Sequence, residues 1–149
     1  VYLADSVAGL DNGSAQLLRS FDSSWNFGER TKPFWTQNSS GGTYSGFAEI
    51  EPKEMLDLLL GADAQGLSLM SAARSQARKY IRIVASSKAF TVGGLPYKFQ
   101  LDASVKVSAF KEFKDEQGVY SVGYELQVVD DPDWGKSYQF YLRNGVAGY

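Results

Sequence analysis

From Tyr97 to Ala109 the residues alternate strictly: Tyr97, Phe99, Leu101, Ala103, Val105, Val107 and Ala109 are apolar or small, while Lys98, Gln100, Asp102, Ser104, Lys106 and Ser108 are polar. A period of two held over that length is compatible only with an extended strand that has one buried face. Turn chemistry follows at Lys114 to Gly118, and a second alternation places Tyr120, Val122, Tyr124, Leu126 and Val128 opposite Ser121, Gly123, Glu125 and Gln127. The run Asp130-Asp131-Pro132-Asp133-Trp134-Gly135 makes another turn, and Tyr138, Phe140 and Leu142 begin a third strand. Connections this short force antiparallel pairing.

Upstream the period changes. From Leu67 the positions Leu69, Met70, Ala73, Ala77, Tyr80, Ile81 and Val84 follow an i, i+3, i+4, i+7 rhythm, which predicts the longest helix of the chain. Its opposite face would carry Arg74, Arg78 and Arg82 in one stripe, and Gly93-Gly94 with Pro96 would prevent its continuation. Pro52 at a first helical position, Glu51 and Glu54 beside it and Gly61 after Leu60 predict a shorter helix over 52–60. Asp11-Asn12-Gly13-Ser14 opens a third, short helical run through Ala15, Leu17, Leu18 and Phe21. Tyr44 to Ile50 alternates as a strand, and the stretch between Phe21 and Ser45 has the texture of loops or short strands. The expected fold class is therefore α+β, with two or three helices followed by an antiparallel three-strand meander that can curve into a half-barrel.

Length places the whole chain, 1–149, in one domain, large enough to hide roughly 68 to 70% of its unfolded surface. The sequence contains neither His nor Cys. That removes imidazole acid-base chemistry, Ser-His-Asp and Cys-His machinery, and the usual ligands of zinc, iron-sulfur and haem sites. Carboxylates remain, and they suit Mg²⁺ or Ca²⁺. Net charge is −2, divided between −5 over residues 1–65 and +3 over residues 66–149. So modest an asymmetry predicts no nucleic-acid partner. Apolar stretches such as 58–62 fall far short of the ~20 residues of a membrane-spanning helix, so no transmembrane segment is expected. No leader pattern is visible, and Val1 fits either a processed mature terminus or the start of a fragment. A Cys-free chain fits an oxidising compartment, and a secreted or extracytoplasmic location is the expectation.

Three groups of side chains are candidates for function. Asp130 and Asp133, with Asp131 between them, crowd carboxylates that need a cation or a basic partner to offset them, and a Mg²⁺ or Ca²⁺ site is one answer. An ordinary solvated turn is the other. Arg74, Arg78 and Arg82 would pair with phosphate oxygens, or simply form a solvated helix face. Trp25, Trp35 and Tyr44 would stack on sugars or peptides, or else build a second hydrophobic cluster. Carboxylate pairs for glycoside cleavage can be drawn from Glu49, Glu51, Glu54 and Asp130, with nothing in the sequence to fix their separation.

The stretch from Ser71-Ala72-Ala73-Arg74 through Phe90-Thr91-Val92-Gly93 and Gly118-Val119-Tyr120 to Asp130-Asp131-Pro132-Asp133-Trp134 resembles the C-terminal domains of colicin M-type and polymorphic bacterial toxins. The resemblance covers about half of the chain, and of the family's acidic motif only the outer aspartates carry over. It implies Mg²⁺-dependent cleavage of the lipid-linked peptidoglycan precursor at its pyrophosphate, with a periplasmic target. Pro132 stands where the motif has Tyr, and no His is available for the downstream His-Arg pair. A shared fold tolerates those departures better than a shared mechanism does. The leading expectation is thus a bacterial effector or toxin-like domain acting on or binding a cell-envelope component, metal-assisted at the acidic turn. The alternatives are a non-enzymatic module binding a protein or glycan, and a structural subunit of a larger assembly, with oligomeric state open.

Overall fold

The computed structural model describes residues 1–34, 46–50 and 53–145. Its strands are β1 (Tyr2–Ala4), β2 (Ser20–Phe27), β3 (Thr31–Phe34), β4 (Gly46–Glu49), β5 (Glu54–Gly61), β6 (Lys79–Val92), β7 (Leu95–Glu116), β8 (Val119–Val128) and β9 (Tyr138–Arg143). The one α-helix among the described residues, α1, spans Ala64–Ser75. Seven strands form one antiparallel sheet in the order β1-β6-β7-β8-β5-β2, with β9 also on β7, while β3 and β4 pair separately. This corrects the α+β expectation: the fold is mostly antiparallel sheet, with a single helix packed on it.

The predicted helix over 52–60 is strand β5. Leu56, Leu58 and Leu60 alternate into the core, flanked by β2 on one side and β8 on the other. Met55 and Leu59, also apolar, point to the other face and disguised that alternation. The predicted long helix from Leu67 stops halfway. Gln76 takes a left-handed conformation (φ 53°) at the C-cap, and the chain re-enters the sheet as β6. There β-branched Ile81, Ile83 and Val84 favour the pleated surface over the helix. The predicted N-terminal helix shrinks to two 3-10 turns, Ala8–Asp11 and Gly13–Ala15, the second capped by the Asn12 side chain accepting from the Ser14 amide.

The long alternating strand is real and longer than its pattern suggested. At 22 residues β7 organises the molecule. Its first half pairs with β6 on one edge and β9 on the other, and its second half pairs with β8. β9 therefore follows β8 end to end along the same edge of β7 and pairs with β7, so the three strands do not form the simple meander expected. Two-residue turns with positive φ, Gly93-Gly94 and Gln117-Gly118, close the β6–β7 and β7–β8 hairpins. Bulges between Val107 and Ala109 and between Phe110 and Phe113 let β7 bend. At the margins of the sheet, the Leu17 amide donates to the Val1 carbonyl and Tyr2 bridges Gln16, which ties the β1 edge to the segment entering β2.

The core lies between the sheet and α1. Leu69 and Ala72 pack on Leu56, Leu58, Leu60, Ile81, Val105, Val122, Tyr124 and Leu126. Asp63 caps α1 by accepting from the Gly66 amide, and the Tyr124 hydroxyl donates to the Gly66 carbonyl at 2.8 Å. A Cβ on Gly66 would stand 2.0 Å from the Gly61 carbonyl oxygen, so only glycine lets α1 approach β5 this closely. Burial pushes the Tyr124 phenol up to about 12.

Candidate functional site

The core-facing apolar side of the sheet does not stop where α1 stops. Phe110 and Phe113 stand directly opposite Tyr124 and Val122 and so share their face. Yet Phe110 is 62% exposed, Phe113 55% and neighbouring Tyr120 74%. At the other end of β7, Phe99 stands opposite Ala85 and Leu142, with Phe90, Leu95 and Leu142 all more than half exposed. Two hairpin arms thus extend from opposite ends of one strand, each with exposed apolar side chains, although at the β6–β7 end Phe99 rests on Phe140 (ring centroids 5.7 Å) and Phe90 stacks on Tyr97 (5.9 Å). Monomeric proteins rarely leave that much contiguous apolar surface uncovered.

The backbone is open too. β1 pairs with β6 only at Tyr80–Arg82, so among the described residues no strand covers the outer edge of β6 from Ile83 to Val92. Likewise no described strand pairs with the second edge of β7 from Lys106 to Glu116. Unpaired edges of this length are templates for further strands.

The acidic turn has a structural centre. Asp131, 1% exposed, accepts from Arg78 Nη1 at 2.7 Å, from the Tyr80 hydroxyl at 2.5 Å and from the Asp133 amide at 3.2 Å. The Tyr80 hydrogen bond is the largest of the influences that hold its carboxyl below the usual value, despite burial. Arg78 also donates to the Asp130 carbonyl, and Trp134 meets the Tyr80 ring edge-on. The loop between β8 and β9 is therefore pinned to β6. A basic partner within the chain offsets the middle aspartate, while Asp130 and Asp133 remain exposed. Among the described residues no three His, Cys, Asp or Glu side chains converge as a metal site would need.

The arginine stripe is dispersed. Arg74 lies exposed on α1, Arg78 on the connection to β6, and Arg82 on β6 itself. Arg82 makes a two-pronged pair with Asp102 (2.6 and 2.9 Å) and a further bond to Asp11 at 2.5 Å, and the Asp102 hydrogen bond is the main cause raising its pKa. Two of the three guanidinium groups are thus already engaged by carboxylates.

Of the aromatic candidates, Trp25 sits half-buried on β2 in a cluster with Phe27 (ring centroids 5.3 Å), Tyr138 (5.9 Å) and Phe140 (6.4 Å). This is packing between β2 and β9, and Trp25 and Tyr138 adjoin the main core. Trp35 and Tyr44 lie outside the described residues, as does Glu51. Glu49 is exposed on β4. Glu54 is buried and accepts from Arg30 at 3.0 Å, and Arg30 also donates to the Tyr138 hydroxyl. These residues line an open groove of about 680 Å³ together with Asp130 and Lys136. Its only deeply buried charge, Glu54, is already paired. The residues that sequence reasoning missed are the apolar ones on the two arms, because an alternating strand looks the same whether its apolar face is covered within the chain or left bare.

No family model matches the sequence, and no curated protein matches it either. Among solved structures, a chain of the SPP1 phage tail tube, determined jointly by solid-state NMR and cryo-EM, superposes with a TM-score of 0.56. The match covers 96% of this chain and 76% of that one at 14% identity, so what the two chains share is a fold.

Proposed function

We propose that this chain is a structural subunit that assembles with further copies of itself, in the manner of a tube-forming protein. The observation that carries this reading is the pair of bare apolar arms at opposite ends of β7, flanked by unpaired strand edges. A surface at each end of one strand suits a head-to-tail contact, which repeats from copy to copy and builds rings or filaments. The likeness in fold to a tail-tube subunit supports the same reading. The charged clusters add to it in a negative sense: Asp131, Arg78, Arg82 and Glu54 hold one another in place and are spent on structure.

The test is electron microscopy and sedimentation velocity on the purified chain at rising concentration. Rings, stacked rings or tubes of uniform diameter are the expected result. A species that stays monomeric to about 100 μM contradicts it, since the concentration range corresponds to an association free energy weaker than roughly −5.5 kcal/mol.

A further inference from the structure

We infer that the tip of the β6–β7 hairpin is an interfacial anchor for a bilayer containing anionic lipid, seated tip-first with Phe90, Val92 and Leu95 beneath a collar of cations. This goes beyond the assembly reading: the last copy of a head-to-tail array has no neighbour to cover this hairpin, and a lone copy carries the same tip. Residues 83–101 contain Lys88 and Lys98 and no acidic residue, and β9 alongside adds Arg143 and no acid. The hairpin ends in Thr91-Val92-Gly93-Gly94-Leu95-Pro96, where only Thr91 has a polar side chain. Phe90, Val92 and Leu95 are exposed. A turn flanked by Val and Leu rather than Asn, Asp or Ser is unusual for a hairpin meant to stay in water.

The cations sit at one depth behind that tip. Lys98 stands opposite Ser86 on one side and Arg143 on the other, and Lys88 is two residues past Ser86 toward the turn. Lys98 is four residues from Gly94, which at roughly 3.3 Å per residue places the collar about 13 Å from the tip. Interfacial elements bury their apolar part about 5–10 Å into the boundary of headgroups and acyl chains and keep their cations among the headgroups. Entry by the tip draws on charge from both faces of the hairpin, so the position of Lys98 over the Tyr141 ring, 5.7 Å from its centroid, fits it. Tyr97 and Tyr141 lie on either side of this level, and an apolar ring with a polar end suits the interface. Among the described residues no strand pairs with the outer edge of β6 from Ile83 to Val92, which limits the hairpin to a depth where water and headgroups still satisfy its backbone. A second copy is the competing occupant. The other exposed hairpin carries Lys114 directly beside Asp115 and Glu116, so a cationic collar has no preference for it, whereas anionic headgroups match the collar on every side.

The experiment is flotation with vesicles of two parts phosphatidylcholine to one part phosphatidylserine, with thermal melts to confirm that each variant folds. The chain has no Cys, so Val92→Cys carries a single environment-sensitive fluorophore at the tip and Tyr120→Cys carries one on the other hairpin. The protein is expected to float with these vesicles, with a blue shift of the label at position 92 and none at position 120. Lys88→Gln/Lys98→Gln and Phe90→Ser/Leu95→Ser are each expected to weaken binding at least about tenfold, and vesicles of phosphatidylcholine alone to bind as weakly. Binding that persists in Phe110→Ser/Phe113→Ser, the change expected to abolish assembly, supports the anchor and keeps it standing if the wild type never assembles; binding lost there overturns it. So would a wild type that does not float, folded variants that bind like the wild type, or equal shifts at the two labels. Assembly lost in Phe90→Ser/Leu95→Ser, with no vesicle binding by the wild type, would give the tip to a second copy and overturn the proposal.

Discussion

The middle of β7 and its two ends have the same alternating pattern and opposite fates. Leu101, Ala103, Val105 and Val107 are all at most 3% exposed, and the last three belong to the core cluster that includes Leu69 and Ala72 of α1. Phe99, Phe110 and Phe113 continue the same apolar face and stand 42 to 62% exposed. Periodicity encodes which side of a strand is apolar, but what covers that side is a property of tertiary or quaternary packing. On the proposed assembly reading, the uncovered ends are where one copy would meet the next.

The contrast can be sharpened by substitutions that should affect only one of the two regions. The largest effect belongs to the middle. Leu126→Ala removes a fully buried side chain of the core, and we expect chemical denaturation to show a loss of about 2–5 kcal/mol. Next comes Gly66→Ala, where the added methyl collides with the Gly61 carbonyl and forces α1 off β5. A loss of about 1–3 kcal/mol is expected, with the Tyr124 to Gly66 bond broken. If either substitution left monomer stability unchanged, the core would have been placed wrongly.

Asp131→Asn acts mainly through pH. The folded carboxyl lies below its ordinary 3.8, so the unfolded chain binds the proton more readily. Its contribution is then fully present above about pH 4 and fades as pH falls through the lower folded value. Melts of the wild type between pH 5 and 2 should show this loss, and the variant should be less stable at neutral pH with a flatter acid limb. An unchanged acid limb would mean that Asp131 is not held by Tyr80 and Arg78 as described. The smallest effect on folding belongs to the ends. Phe110→Ser/Phe113→Ser should change monomer stability by no more than about 0.5 kcal/mol per site while abolishing assembly in sedimentation. A large loss of stability with assembly intact would reverse the comparison.

Much of the C-terminal half was legible because single-faced strands announce themselves. β7, β8 and β9 lie where alternation put them, and the Gly118 and acidic turns fall where expected. β5 was not legible, since a strand inside a sheet with apolar residues on both faces loses its period, and Pro52 with Gly61 mimics helix punctuation. The second half of the supposed long helix failed for a related reason: Tyr80, Ile81 and Val84 satisfy helical spacing as well as a strand with mixed burial, and the stop at Gln76 depends on a left-handed residue that is not glycine. With the helix went the arginine stripe. The acidic turn was visible as a cluster in need of a basic partner, but that partner, Arg78, is 53 residues away in sequence and adjacent only through the sheet.

Hydrogen exchange read by mass spectrometry, on dilute and assembled protein, tests the central claim most directly. Amides of Lys106–Glu116 and Ile83–Val92 are expected to become protected on assembly, while those of Leu101–Val105 and Val122–Leu126 are slow in both states. Protection that is the same at every concentration across both arms would contradict it.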